Sequence, residues 1–134
     1  MKYLFLFIIT AAIFFALDML WIGLIARNFY REKLSFIFTG EVRWIPIVIF
    51  YSIYIAGILY FVLIPGFAQH DWKMVLLNGA LLGLLCYATY DLTNMGTIKQ
   101  WPLVVTVVDI IWGSFVTAAV SVISYLAAVK WLHF

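Results

Sequence analysis

Charge is scarce in this chain. Charged residues make up 10% of its 134 residues, whereas 67% are hydrophobic, and a soluble domain carries only about 45–50% apolar residues. With so few charges the surface itself must be apolar, and lipid is the solvent that tolerates such a surface. The net charge of +2 is too small to indicate a nucleic-acid partner. The composition therefore excludes a soluble globular domain and predicts an integral membrane protein.

Cysteine and histidine are equally rare. Cys86 is the sole cysteine, so one chain can form neither a disulfide nor a thiolate metal site. The two histidines, His70 and His133, stand at a predicted turn and beside the last residue, away from the acids. These scarcities exclude a histidine–cysteine metal centre, and they leave the cofactor unknown.

Four apolar runs are each long enough to cross a bilayer, for which a helix needs ~20 residues. They cover residues 3–26, 44–64, 74–94 and 103–129. Their short connections leave no room for a soluble domain. The chain is therefore predicted to be all-α, a single polytopic domain of residues 1–134 folded as a four-transmembrane-helix bundle. Pro65 and Gly66 are predicted to end the second helix.

The longest connection, residues 27–43, mixes charged side chains with aromatic rings. This composition is typical of a segment lying in the headgroup region, with its bases toward water and its rings toward lipid. An ordinary loop with snorkelling basic side chains explains it equally well, so both interpretations stay open. The residues concerned are Arg27, Phe29, Tyr30, Arg31, Glu32, Lys33, Leu34, Phe36, Ile37, Phe38, Glu41 and Arg43.

Lysine and arginine are distributed unevenly between the two sides of the predicted bundle. The first and third connections carry more of them, which favours a cytoplasmic position for those connections and both termini outside. On the richer side are Arg27, Arg31, Lys33, Arg43 and Lys99, and on the other are Lys2, Lys73 and Lys130. We therefore expect a multi-pass protein of the cell (inner) membrane with this orientation.

Three aspartates lie inside or at the end of apolar runs, where a carboxylate is costly and usually faces protein or water. Asp18 precedes Arg27 by nine residues and is thus about 13 Å below that interface. Asp109 follows Trp101 by eight residues and is thus about 12 Å from the same interface. Asp91 is shallower. We therefore expect the three carboxyl groups to converge in one half of the membrane.

These acids and the aromatic and polar residues at similar depth form the candidate binding site. Its members are Asp18, Trp21, Tyr51, Tyr54, Tyr90, Asp91, Asn94, Lys99, Asp109 and Trp112. No catalytic residue is identified among them. The three aspartates are also candidate oxygen ligands for a hard cation such as Mg²⁺, although no metal signature accompanies them. A purely structural role, hydrogen bonding to a Tyr or Trp of a neighbouring helix, remains the alternative.

Like charges repel, and burial disfavours ionisation. We therefore expect at least one of Asp18 and Asp109 to be protonated, or to be neutralised by Lys99, by an arginine of the first connection or by a bound cation.

One pattern occurs twice, as Asp18-x-x-Trp21 and as Asp109-x-x-Trp112. Residues three apart lie on neighbouring parts of one helical face. The repetition is either coincidence in a tryptophan-rich chain or the trace of an inverted repeat, as in some transporters. Because the intervening helices show no matching similarity, coincidence or convergent use is favoured.

Several short motifs carry a resemblance to a known family. They are Tyr90-Asp91-Leu92-Thr93-Asn94, Lys99, Trp101-Pro102 and Asp109-Ile110-Ile111-Trp112-Gly113. Together with Asp18 and Trp21 they resemble a family of small bacterial integral membrane proteins of unknown function, and the resemblance covers essentially the whole chain. It favours a lipid-related role and supplies no mechanism or catalytic residue.

Three classes of function remain open. The favoured hypothesis is a polar intramembrane pocket that binds a small ligand, a lipid headgroup, a proton or a cation. A membrane-embedded lipid-modifying enzyme is the first alternative, but the chain has no nucleophile motif and lacks the spaced aspartates of lipid phosphotransferases. The second alternative is a small ion-coupled carrier that works as a homodimer, as the small multidrug carriers do, or a non-catalytic membrane subunit.

Overall fold

The structure is a computed structural model that describes residues 1–37 and 42–134, and every regular element in this part of the chain is a helix. The helices are α1 (Lys2–Ile25), α2 (Arg27–Lys33), α3 (Trp44–Gln69), α4 (Trp72–Thr97) and α5 (Leu103–Trp131). All except α2 are long and apolar enough to cross a membrane, with mean hydropathy between 1.4 and 2.5. The predicted all-α class with four transmembrane helices is confirmed.

Large apolar side chains cover the outside of the bundle. Ile45, Ile53 and Phe61 are 76%, 67% and 61% exposed, which would be unfavourable in water because apolar surface is costly to hydrate. A bilayer removes that penalty. The interior combines residues such as Phe14 and Ile58 with buried polar side chains. Polar side chains therefore face the interior of the bundle, as expected of a chain surrounded by lipid.

The second span does not end at Pro65-Gly66, so that prediction is wrong. A π-helical turn, Leu59–Leu63, comes immediately before the proline, and the chain then remains helical from Ile64 to Gln69. Pro65 falls within the first two positions of this last segment, where its missing N–H is tolerated. The helix ends at His70, which adopts a left-handed conformation with φ of 50°.

Two glycines allow α4 and α5 to pack closely. A Cβ added to Gly83 would lie 2.2 Å from the carbonyl oxygen of Gly113, and one added to Gly113 would lie 2.1 Å from the ring of Tyr87. This contact between α4 and α5 is the most extensive between any two helices of the described residues. The small-residue spacing of Gly79 and Gly83 thus serves packing within the chain, since a Cβ on Gly79 would also meet α5.

The first connection contains α2 and packs against the bundle. Leu34, just after α2, is buried against Trp101 and Val105, which mark the connection from α4 to α5 and the start of α5. Phe38 and Glu41, part of the predicted interfacial segment, lie outside the described residues. The described part of the connection is therefore a short helix and a turn lying over one end of the bundle, above the candidate site.

Candidate functional site

Asp18 is the single acid of α1 and is almost fully buried, at 4% exposure. The hydroxyl of Tyr51, on α3, donates a hydrogen bond to Asp18 Oδ2 at 2.5 Å. The ring of Tyr51 packs edge-on against Phe14, one turn before the acid on α1. A carboxylate bonded in this way is held in one orientation, since its donor is itself fixed by packing.

Asp109, on α5, receives its hydrogen bond from outside the four spans. The hydroxyl of Tyr30 on α2 donates to Asp109 Oδ1, and Trp21 Nε1 donates to the Tyr30 oxygen at 3.2 Å. Burial, and secondly the bond to Asp109, raises the pKa of Tyr30 above its ordinary value. The phenol therefore keeps its proton and serves as the donor to the carboxylate.

The two Asp-x-x-Trp motifs meet in space. The indole rings of Trp21 and Trp112 stack with centroids 4.5 Å apart and planes 8° from parallel. Trp112 lies beside Asp18, while Trp21 is joined to Asp109 through Tyr30. Each tryptophan thus adjoins the acid of the other motif.

Helix direction explains this reciprocity. The start of α1 lies against the end of the chain after α5, where the rings of Tyr3 and Phe134 are 5.5 Å apart, so the two helices are antiparallel. A step from Asp to Trp covers three residues, or about 4.5 Å along the axis. Because the helices are antiparallel, this step points in opposite directions along α1 and α5. Each acid therefore lies at the level of the tryptophan on the other helix.

A cavity of about 360 Å³ opens among these groups. It lies between α1, α2, α3, α4 and α5, and its walls combine two carboxyl groups with seven aromatic and two aliphatic side chains. Its lining residues are Asp18, Trp21, Ile22, Tyr30, Leu34, Tyr51, Tyr87, Tyr90, Trp101, Asp109 and Trp112. No lysine or arginine is among them, so the described wall of the cavity carries only acidic charge.

Asp91 lies behind this wall and is completely buried. Its carboxyl group neighbours that of Asp109, yet neither of its oxygens has hydrogen-bond geometry to any of the described residues. Trp112 Nε1 is likewise buried without a partner of that geometry in the described structure. Buried polar atoms are normally satisfied, so the Asp91 carboxyl group is a natural point for a proton or a donor, and the Trp112 N–H can only donate, to a water molecule or another acceptor.

A family model described as "Predicted membrane protein (DUF2177)" matches residues 3–126 of the chain. The chain belongs to this family. The resemblance expected from the sequence is thereby confirmed, and the family's function is unknown. No curated protein and no solved structure matches the chain significantly.

In this family member, six of the ten candidate residues line the cavity. They are Asp18, Trp21, Tyr51, Tyr90, Asp109 and Trp112. The other four lie elsewhere. Tyr54 shares a hydrogen bond of 2.6 Å with Thr117, Asp91 is behind the wall, Asn94 lies near Tyr90, and Lys99 is exposed and does not line the cavity.

Sequence reasoning missed three aromatic members of the wall. Tyr87 shares a helical stripe with Gly83, and this signal was available in the spacing of α4. Trp101 has the position of an interfacial tryptophan, and its burial at 7% exposure comes from the folding back of α2. Tyr30 is in the connection whose conformation the sequence left open, so no periodicity could place it.

Among the described residues, no three side chains of His, Cys, Asp or Glu are grouped so that they could hold a metal ion. A role of Asp18, Asp91 and Asp109 as oxygen ligands for a hard cation stays a prediction.

Proposed function

We propose that the protein binds a small organic cation, a protonated amine or a quaternary ammonium, in its intramembrane cavity. The observation that carries the proposal is the composition of the cavity wall: Asp18 and Asp109 line the cavity together with the stacked Trp21–Trp112 pair. Carboxylates supply charge and aromatic faces supply cation–π attraction.

The charge of the wall also argues against an anionic ligand. The described lining carries no basic side chain, and a phosphate or carboxylate ligand would be repelled by two acids in a medium that screens poorly. The hydroxyls of Tyr30 and Tyr51 are already directed at the two acids. A hydroxyl is neutral and does not balance the charge of a carboxylate, so two buried carboxylates favour a cationic partner.

A proton-coupled carrier is the second candidate function, and the position of Asp91 favours it. Two neighbouring carboxyl groups repel each other when both are ionised, so a proton held by the buried Asp91 relieves this repulsion until a cation arrives. Binding would then release a proton. Addition of cation to the weakly buffered wild type should acidify the solution, and Asp91→Asn should abolish that release while retaining binding.

For membrane placement, we propose the cell membrane as the location, with both termini outside. The site then faces the cytoplasmic half of the bilayer, beneath α2. The surplus of basic residues in the first and third connections supports this orientation.

The test is binding of benzyltrimethylammonium to purified protein, measured by calorimetry and by the increase in unfolding temperature. A ligand that binds the folded state stabilises it in proportion to its saturation. We expect Asp18→Asn and Asp109→Asn to weaken binding by about tenfold or more, equivalent to ~1.4 kcal/mol. Asn keeps the shape of the side chain and its ability to hydrogen bond across helices.

Asp71→Asn is the matched control. Asp71 is exposed and caps α4 by accepting from Lys73 N at 2.9 Å, and Asn caps helices equally well, so this variant should bind like wild type. Neopentylbenzene, the neutral isostere of the probe, should not bind. Unchanged affinity in both cavity variants, equal binding of the isostere, or unfolding of both cavity variants on extraction would each contradict the proposal.

A further inference from the structure

An apolar groove adjoins the polar cavity. Its volume is about 580 Å³, and it runs between α1 and α3. Apart from Tyr51 and Ser52 its walls carry only apolar or indole side chains. Phe15 and Val48, on its rim, are each 60% exposed. The groove therefore faces the region that hydrocarbon chains occupy in a bilayer.

The groove and the cavity share two residues, Ile22 and Tyr51. Tyr51 joins them chemically as well, because its hydroxyl bonds to Asp18 in the cavity while its ring also lines the groove. A molecule lying in the groove with its polar end toward Tyr51 would therefore present that end to Asp18.

We infer that the ligand is an amphiphile with a cationic head and an aliphatic tail, and that it enters sideways from the bilayer between α1 and α3. This inference rests on the proposed cation site and adds the tail and the route. The head occupies the acidic aromatic cavity, and the tail lies in the groove.

Length and charge both favour this occupant. The groove extends along α1 from Phe7 to Ile22, about 22 Å by helical rise, which suits an extended chain better than a compact molecule. The polar end of the groove opens to the cavity, whose described lining has carboxyl groups and no basic group. A cationic head is therefore complementary to it, and a phosphate head is not. The tail gains little by leaving lipid for the groove, since lipid is equally apolar, so the head determines selectivity.

The test uses dodecyltrimethylammonium carrying a photoreactive diazirine at the end of its chain, applied to the full-length protein in lipid nanodiscs. Crosslinked residues are mapped by mass spectrometry. We expect crosslinks on the groove residues of α1 and α3 in wild type, and their loss in Asp18→Asn, which removes the anchor for the head. The same chain with a neutral alcohol head should give no enrichment in the groove.

Two variants fill the groove directly, Ala11→Phe and Ser52→Phe, since both residues line it. Each should abolish the groove crosslinks. Ala12→Phe adds the same ring to α1 at an exposed position outside the groove and should leave the crosslinks intact. The unfolding temperature without probe reports whether each variant is folded. Because two independent variants fill the groove, the test remains decisive if one of them does not fold.

The outcomes separate the inference from the function on which it rests. If benzyltrimethylammonium binds wild type through the acids but the dodecyl probe crosslinks outside the groove, the tail site is refuted and the cation site stands. If the neutral probe labels the groove as strongly as the cation, the groove holds ordinary lipid chains and the inference fails. If neither cation binds, both proposals fall.

Discussion

Tyr30 lies outside the four spans and hydrogen bonds to an acid inside them. It accepts from Trp21 and donates to Asp109, so one phenol connects α2 to both α1 and α5. The equivalent position at Asp18 is occupied by Tyr51 of α3. At the residue scale, each acid of the cavity is thus oriented by a tyrosine from a different helix.

We expect Tyr30→Phe to lower the free energy of unfolding by about 1–3 kcal/mol, because a buried acceptor loses its donor. The difference from wild type should depend on pH. Since the folded-state pKa of Tyr30 is raised, its contribution is complete below the ordinary tyrosine pKa of about 10 and is lost as pH rises toward the folded-state pKa. Thermal unfolding between neutral and strongly alkaline pH measures this.

Tyr60→Phe is the control for this substitution. Tyr60 is 69% exposed on the outside of α3, so removing its hydroxyl should change stability little at any pH. An equal effect of the two substitutions, or a Tyr30→Phe effect that persists unchanged at high pH, would show that the Tyr30 bond does not stabilise the fold as described.

The contact between α4 and α5 sets the back wall of the site. Gly83 and Gly113 bring the two backbones together, and Asp91 is buried beside Asp109 on the same pair of helices. If this pair moved apart, the Asp91–Asp109 contact would open, and Tyr87 would leave its position against Gly113. At the scale of elements, close glycine packing therefore shapes the cavity.

We expect Gly83→Ala to destabilise the protein by about 1–3 kcal/mol, the usual range for overpacking a tight contact. Its new Cβ would meet backbone atoms of Gly113, which cannot rotate away. Gly96→Ala, in the same helix, adds a Cβ with nothing within 4 Å, so it should be neutral or up to about 1 kcal/mol more stable through helix propensity. Reversible unfolding in mixed micelles compares the pair. Equal effects would refute the packing explanation.

At the scale of the whole molecule, the four spans bring both ends of the chain to one side. Tyr3 packs against Phe134, and Lys2 lies 4.3 Å from the centre of the same ring. The opposite end of the bundle carries α2 and the connection between α4 and α5, which meet through Leu34 and Trp101. The candidate site lies toward this second end.

Orientation is tested by single-cysteine labelling in a Cys86→Ser background. A membrane-impermeant maleimide added to intact cells should label Lys73→Cys and Lys130→Cys. It should label Arg31→Cys and Lys99→Cys only after permeabilisation, because the surplus of basic residues is expected in the cytoplasm. Labelling in the opposite pattern would reverse the orientation while leaving the four helices unchanged.

Much of this architecture follows from composition and periodicity. Apolar runs of spanning length determine the four helices, and the penalty for charge in lipid singles out Asp18, Asp91 and Asp109. Helical spacing predicts a similar depth for Asp18 and Asp109 and gives α4 its small-residue stripe. These features are local, so the order of residues along one helix is enough to determine them.

Contacts between distant segments were decided only in the tertiary structure. The sequence favours coincidence or convergent use for the two Asp-x-x-Trp motifs, and only the antiparallel packing of α1 and α5 stacks Trp21 on Trp112. Tyr30 reaches Asp109, 79 residues away in sequence, because α2 folds back over the bundle. The helix through Pro65 persists because a π-helical turn precedes it. The tryptophan stack and the Tyr30 bond depend on how distant segments pack, which the spacing of residues along a single helix does not specify.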